Sequence, residues 1–424
     1  MSIPKYVNGK IVYESISPKD VWVTPYSNAH REFIKYAGKL QALALANELP
    51  QFDTGNEAAN ELWNEVINRS DGVNLFYKNE QQISTGASLI GFKTSCCVDD
   101  NGELTKGTEL FNANPLMYIK KAGQLIYLLV EICQLKSKST YDYIICQEWV
   151  KDSTVTRNVA ILKKEYNDFF TNGRIPNKYN VDTIDFDELE RNNIPPEHNN
   201  FYRNIPYKLY VNNADCKGDL DDIDEIYFKS LDAYKQMLPI DMLISRTFAF
   251  VNANISKNFN ISKKMLTATD NLIETNNSQT QYTGSGVNLS QGVSQAQQIW
   301  TSITNTIRTI KELAFLRIQA SDTGKNNKHT SEIESLNANA DDMIEMKANT
   351  REMDHIDLLM NWKWFEWDNN RVNLDFKRSD CKVMVTGSTA WLKEQAKIAI
   401  ANQDGYTNPN APKNNVETDE GDDN

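Results

Sequence analysis

The chain has few of the side chains that most often bind metals or perform thiol chemistry. Its 424 residues include four histidines and six cysteines, and no two cysteines have Cys-x-x-Cys spacing. In a strand, the adjacent cysteines at 96 and 97 would point to opposite faces. We therefore predict reduced, buried thiols, no metal and no cofactor. The cysteines are Cys96, Cys97, Cys133, Cys146, Cys216 and Cys381.

Long apolar runs are also missing. The longest, residues 125–135, contains Glu131 and falls well short of the roughly 20 residues that a membrane-spanning helix needs. The first residues, "MSIPKYVNGKIVYE", contain no apolar segment of the kind found in secretory signal peptides. These absences predict an intracellular protein with no membrane-spanning segment.

Basic residues are fewer than acidic residues. The 45 basic and 57 acidic residues give a formal net charge of -12. Such a surface repels phosphate groups, which argues against tight binding of nucleic acid by the surface as a whole. A few basic positions on one surface can still make passing contact with nucleic acid.

The common catalytic and phosphate-binding motifs are absent as well. Neither G-x-S-x-G nor H-E-x-x-H occurs, and the glycine-rich stretch 283–292 has no Lys-Ser or Lys-Thr pair after it. The acidic stretch 219–225 has Ile223 at a calcium-ligand position and lacks the glycine of a calcium loop. We therefore predict no catalytic residue and no enzymatic activity.

One pair of residues does have the spacing of a metal-binding motif. Glu352 and His355 are three positions apart, which puts a carboxylate and an imidazole on the same face of a helix. A di-iron bundle needs this motif twice, and the other histidines, His30, His198 and His329, lie in unrelated contexts. We expect a solvated, ion-paired helix face. An enzyme that uses the acidic helices with a divalent metal remains an alternative.

Three nearby tryptophans raise a second possibility, a stacking platform for single-stranded nucleic acid. Trp362, Trp364 and Trp367 directly follow a helical pattern, and Lys363 is the only basic residue close to them in sequence. The favoured interpretation is that they are core or subunit-contact residues.

Hydrophobic periodicity predicts an α+β fold. Helical spacing recurs over 28–49, 54–70, 73–85, 294–319 and 331–360, and an acidic first turn opens another helix near 221. Residues 111–170 have the character of three or more antiparallel strands, and 371–377, "RVNLDFK", alternates like a strand. Within the long helix after 330, Ser331 and Glu334 form a capping box, and the apolar stripe slips near Asn349 and Thr350. The slip indicates a bend or a change of packing partner.

The order of these elements resembles that of the portal proteins of tailed bacteriophages, the head-tail connectors of the minor capsid protein group. The resemblance runs from about residue 55 to 380. Its most specific pieces are "ISTGASLIGF" at 83–92, "LDAYK" at 231–235 and "KHTSEI" at 328–333.

The resemblance implies a portal-like subunit with an α/β wing, long stem helices, a small clip and a tunnel loop. By order alone, the parts would be a wing at 1–220, stem helices at 221–245 and 294–319, a clip at 246–293, a tunnel loop at 320–329, a wing or crown return at 330–402 and an acidic disordered tail at 403–424.

The function implied is structural. Members of the family form a ring, typically a dodecamer, at one vertex of the capsid, where double-stranded DNA passes during packaging and ejection. The implied partners are the major capsid protein, terminase, head-tail adaptor or tail proteins and the DNA, and the implied location is the virion. The candidates for contact with DNA in the channel are Lys325, Lys328, Arg308, Lys311 and Arg317. A different collar or adaptor protein of a virion is the main alternative.

Overall fold

The computed structural model describes the larger part of the chain. The described residues are 2–7, 10–15, 20–23, 31–98, 104–121, 124–136, 142–172, 174–185, 187–200, 204–213, 217–244, 247–252, 272–275, 288–291, 295–316 and 330–404. They form an α+β fold, as the sequence predicts.

Nine helices lie in the described residues: α1 Arg31–Leu45, α2 Glu57–Arg69, α3 Gly72–Ile83, α4 Lys163–Asn172, α5 Asp187–Arg191, α6 Glu225–Ile244, α7 Ala296–Leu313, α8 Thr330–Phe365 and α9 Thr389–Asp404. A 3-10 turn spans Val181–Thr183, and a π-helical turn, Glu366–Asn370, follows α8. None of the helices within these residues combines the length and apolar character needed to cross a membrane.

The strands in the described residues are β1 Ser2–Val7, β2 Lys10–Ser15, β3 Val21–Val23, β4 Gln51–Asp53, β5 Ala87–Val98, β6 Leu104–Ala113, β7 Pro115–Lys121, β8 Gln124–Lys136, β9 Asp142–Val150, β10 Val155–Leu162, β11 Tyr179–Asn180, β12 Glu197–Asn199, β13 Tyr207–Val211, β14 Thr247–Asn252, β15 Leu272–Thr275, β16 Asn288–Gln291 and β17 Lys382–Met384.

The chain divides into two compact units. The first comprises residues 1–26, 38–216 and 344–424, and the second comprises 27–37 and 217–343. Helix α8 belongs to the second unit up to Met343 and to the first from Ile344. The predicted change of packing partner therefore falls somewhat before Asn349.

Within the described residues, the first unit contains four antiparallel sheets, of which β1-β2 and β17-β4 have two strands each and the other two are more extensive. The larger has the order β11-β10-β9-β8-β7-β3, with β12 also paired with β10, and the smaller has the order β13-β5-β6. The apolar side chains of helices α2 and α3, of the C-terminal part of α8 and of β5 form the largest core cluster, which includes Trp63, Phe76, Ile90, Leu358 and Trp362. This helical layer covers the smaller sheet.

The second unit is built around two helices. Helix α6 packs against α7, and Phe33 of α1 contacts Phe228 of α6 with the ring centroids 6.0 Å apart. Between α6 and α7 along the chain lie β14, β15 and β16, which form a three-stranded sheet of order β15-β14-β16. Strand β14 lies at the start of the interval between the two helices.

Three expectations need correction. Residues 371–377 are not a strand: Leu374 and Phe376 are buried against α8 without pairing to any strand. Helix α7 ends at Leu313, and 314–316 form a turn. The thiol of Cys96 is exposed rather than buried, whereas Cys146 and Cys381 are buried as predicted. The tunnel loop predicted at 320–329 and the tail after 404 lie outside the described residues.

Candidate functional site

Glu352 and His355 lie on α8, but His355 faces the core rather than solvent. Only 2% of His355 is exposed, and its ring lies edge-on to Phe76 with the centroids 4.9 Å apart. The hydroxyl of Tyr210 lies 3.0 Å from His355 Nδ1. Glu352 accepts a hydrogen bond from the backbone N–H of Val385 at 3.4 Å. The expectation of a solvated helix face is therefore wrong for His355.

The neighbouring charges on α8 form an ion-pair network around the buried Arg351. Arg351, 1% exposed, donates from Nε to Glu80 of α3 at 2.8 Å and from Nη1 to the carbonyl of Val211 at 3.0 Å. Lys208 of β13 donates to Asp354 at 3.0 Å and to Asp357 at 3.1 Å. Arg378 donates to the other oxygen of Asp357. The network thus ties α8 to α3 and to the smaller sheet.

Burial sets the protonation states in this network. It lowers the pKa of His355 to about 3, and the positive charges of Arg351 and Lys208 act in the same direction, so the imidazole is neutral. It also raises the pKa of Glu80, although the Arg351 guanidinium opposes the shift. Burial raises the pKa of the Tyr210 hydroxyl well above its usual range.

This chemistry does not suit a metal site. Within the described residues, no group of three or more His, Cys, Asp or Glu side chains could hold a metal ion. The Tyr210 hydroxyl and the aromatic rings already surround the His355 imidazole. The arrangement instead fixes the position of α8 against α3 and the smaller sheet, because each buried charge is paired with an opposite charge or a carbonyl group.

The three tryptophans do not form one platform. Trp362 is completely buried, packs against Trp63 at 4.9 Å between centroids, and donates from Nε1 to Glu366 at 3.0 Å. Trp367 is 53% exposed, and Trp364 contacts Phe365. The core interpretation is confirmed for Trp362.

Sequence reasoning missed a second polar cluster, inside the larger sheet. Tyr127 of β8 donates to Glu148 of β9 at 2.6 Å, and Lys178 donates to the same carboxylate oxygen at 2.6 Å and contacts the Tyr127 hydroxyl. Burial raises the pKa of Glu148 to about 7 and lowers that of Lys178 to about 7. No local signal marks this cluster, because its members come from three separate segments of the chain.

Two of the five candidates for contact with DNA lie in the described residues. Arg308 of α7 donates to Glu312 at 2.7 Å, with a quarter of its side chain exposed. Lys311 is 3% exposed, and its ammonium lies over the ring of Tyr36 at 4.9 Å from the centroid. Lys311 is therefore not open to a ligand in this arrangement. Arg317, Lys325 and Lys328 lie outside the described residues.

Comparison with known proteins adds no relative. None of the protein-family models matches the chain, and a comparison with curated proteins likewise finds no match.

Proposed function

We propose that the protein is a portal subunit of a tailed bacteriophage. In this role twelve copies form a ring at one capsid vertex, and the ring conducts double-stranded DNA during packaging and ejection. It is a structural protein of the virion, without catalytic activity, and it docks the major capsid protein, terminase and head-tail adaptor or tail proteins.

The topology of the second unit is the observation that carries the proposal. Helices α6 and α7 pack together, and the chain between them forms the three-stranded sheet of β14, β15 and β16. Helix α8 then leads back to the α+β unit. A stem of two helices, a small clip between them and a wing that receives the next long helix would have this order.

The net negative charge of the chain supports the same role. A channel through which DNA slides must not hold phosphates tightly, and a net charge of -12 per chain gives repulsion rather than binding. Arg308, Arg317, Lys325 and Lys328 are the proposed guiding cations.

Exposed apolar side chains on the second unit are suited to contacts between subunits. Trp300 of α7 is 60% exposed, and Ile226 and Met237 of α6 are 60% and 54% exposed. In a ring, each subunit presents two different faces to its neighbours, and such side chains gain from burial there. We place Trp300 at this contact.

Electron microscopy and native mass spectrometry of the full chain test the proposal. We expect rings with a central channel and a particle mass near that of a dodecamer of the 48.4 kDa chain. Trp300→Glu should shift the population toward monomers. Thr301→Glu, which adds the same charge to the same helix and keeps the indole, should assemble more fully than Trp300→Glu.

Two outcomes would contradict the proposal. Finding only monomers or dimers under conditions that favour assembly would rule out the proposed ring. Particles that assemble without a central channel would favour a collar or adaptor protein instead.

A further inference from the structure

A cleft in the first unit opens between the smaller sheet and β8 and β9 of the larger sheet. It consists of two adjoining cavities of about 310 and 370 Å³, both lined by Phe111, Gln147 and Tyr207. Together they fall in the size range of binding pockets for small molecules or short peptide segments. We refer to them as the polar cavity, which Gln82, Asn112 and Glu131 also line, and the aromatic cavity, which Phe92 and Trp149 also line.

A glycine shapes the wall between the two cavities. Gly91 of β5 is paired with Tyr207 of β13 on one side and with Phe111 of β6 on the other. A Cβ at Gly91 would lie 2.5 Å from Phe111 Cζ and 2.7 Å from Tyr207 Cε1. The absence of a side chain therefore allows both rings to lean over the central strand, where their centroids are 5.8 Å apart.

The polar cavity brings together three side-chain amides whose N–H donors make no hydrogen bond within the described part of the chain. Gln82 Oε1 accepts a hydrogen bond from Ser88 Oγ at 2.7 Å, and Gln147 Oε1 accepts one from Trp149 Nε1 at 2.9 Å. The oxygen of each amide is therefore already hydrogen-bonded, and the NH₂ group is the part left to contact a ligand. Neither NH₂ group has a hydrogen-bond partner within the described residues. Asn112 Nδ2 is buried there without a partner among the described residues, whereas Gln82 and Gln147 are half-buried. A buried donor without an acceptor is costly, and an acceptor bound at Asn112 removes that cost.

The chemistry of the lining selects the class of ligand. Three N–H donors are suited to a ligand with oxygen acceptors. Phosphate and carboxylate groups are disfavoured, because the carboxylate of Glu131 lines the same cavity and repels negative charge. Neutral carbonyl groups satisfy both conditions. The aromatic cavity, lined by Phe92, Phe111, Trp149 and Tyr207 with Lys93, Gln147 and Pro206 beside them, suits an apolar side chain.

We propose that this cleft binds an extended peptide segment of a partner protein. The main-chain carbonyls of the segment accept hydrogen bonds from Gln82, Asn112 and Gln147, and one apolar side chain enters the aromatic cavity. All of these residues belong to the first unit, so the inference does not depend on the proposed ring.

Saturation-transfer NMR on the full chain tests this with the blocked tripeptide acetyl-Gly-Phe-Gly-amide. We expect transfer to the phenyl ring and the acetyl group, and much weaker transfer to acetyl-Gly-Gly-Gly-amide. Methyl glucoside serves as the sugar probe. Saturation of the glucoside with none of the phenylalanine peptide would overturn the proposal in favour of a glycan site, and no transfer to any probe would overturn it outright.

Asn112→Leu separates binding from folding. The amide donor has no partner among the described residues, so its loss should leave the urea unfolding midpoint unchanged or higher, while peptide affinity falls roughly tenfold. Asn64→Leu, the same replacement on an exposed face of α2, should change neither. Equal peptide affinity in Asn112→Leu and the unmodified chain would contradict the assignment of this donor to the ligand.

Discussion

At the scale of single residues, His355 makes the stability of the fold depend on pH. Its pKa is about 3 in the folded chain against 6.5 for an unperturbed histidine. Between these two pH values the imidazole is protonated in the unfolded chain and neutral in the folded chain. Above pH 6.5 both states are neutral and the group adds no pH dependence. As pH falls from 6.5 toward 3, the free energy of unfolding should decrease by about 1.4 kcal/mol per pH unit from this group.

Replacing His355 by Gln should remove that contribution. We expect the variant to be less stable at pH 7, because the Tyr210 contact is altered, but to lose less stability than the unmodified chain between pH 6.5 and 4. Urea unfolding at several pH values measures this difference. The same replacement at the exposed His198 is the control. An unchanged slope in His355→Gln would show that the imidazole is not held neutral.

Arg351 and Glu80 form the ion pair with the largest expected effect on stability. Both side chains are nearly fully buried, so Arg351→Met leaves a carboxylate enclosed without its partner. We expect a loss of about 3–5 kcal/mol in the free energy of unfolding, measured with urea. The double variant Arg351→Met with Glu80→Leu should recover part of it, because no charge is then left alone.

An exposed pair provides the matched comparison for Arg351. Lys397 and Glu394 are three residues apart on α9, and their side chains are 75% and 47% exposed. Lys397→Met should change stability by less than about 1 kcal/mol. A similar small effect for Arg351→Met would mean that the buried network does not hold α8 in place.

The sequence could not reveal this network. A pattern of charged residues along 345–357 is typical of a solvated face, and reading it that way requires no partner. Glu80 and Lys208, which pair with Arg351, Asp354 and Asp357, lie far away along the chain. Compensation between distant charges has no local signature, so the helix was predictable and its orientation was not.

At the scale of elements, the segment 371–377, which follows α8 and its π-helical turn, shows where hydrophobic periodicity gives a wrong prediction. Val372, Leu374 and Phe376 alternate as in a strand, yet only Leu374 and Phe376 are buried, and Phe376 stacks on Trp362 at 6.1 Å between centroids. Two apolar side chains inserted into a helical core give the same alternation as a paired strand. In contrast, α2, α3 and the strands between 111 and 170 were predictable because each carries a long, regular pattern and a turn at its end.

The row Tyr207, Gly91 and Phe111 provides a prediction at this scale. Gly91→Ala adds a methyl group where two rings already lie, so we expect a loss of about 1–3 kcal/mol in the free energy of unfolding. Urea unfolding of the single variant and of Gly91→Ala with Phe111→Leu measures it. The smaller Leu side chain should make the alanine less costly. Equal cost in both backgrounds would show that the clash is not with Phe111.

At the scale of the whole molecule, the order of elements was more accessible to sequence reasoning than their packing. The helix predicted to begin near 221 is observed from Glu225, and the chain leaves the first unit close to that point. Such transitions are marked by composition, since an acidic first turn and a polar interval are local features. The burial of Lys311 beneath Tyr36 depends on residues far apart in the chain, and no local pattern predicts it.

The net charge leads to the last prediction, which concerns DNA. A protein that binds DNA tightly neutralises many phosphates, whereas this chain carries 12 more acidic than basic groups, and Lys311 is buried. We expect the assembled protein to bind a fluorescent duplex of about 20 base pairs with a dissociation constant above roughly 10 µM at 150 mM salt, measured by anisotropy. Lowering the salt should strengthen binding only modestly, because the proposed guiding cations are few and the net charge of the chain is negative. Arg308→Gln should weaken any residual binding, and Arg69→Gln, on the first unit, should not. Submicromolar affinity at 150 mM salt would contradict a conduit that lets DNA slide and would point instead to a protein that holds it.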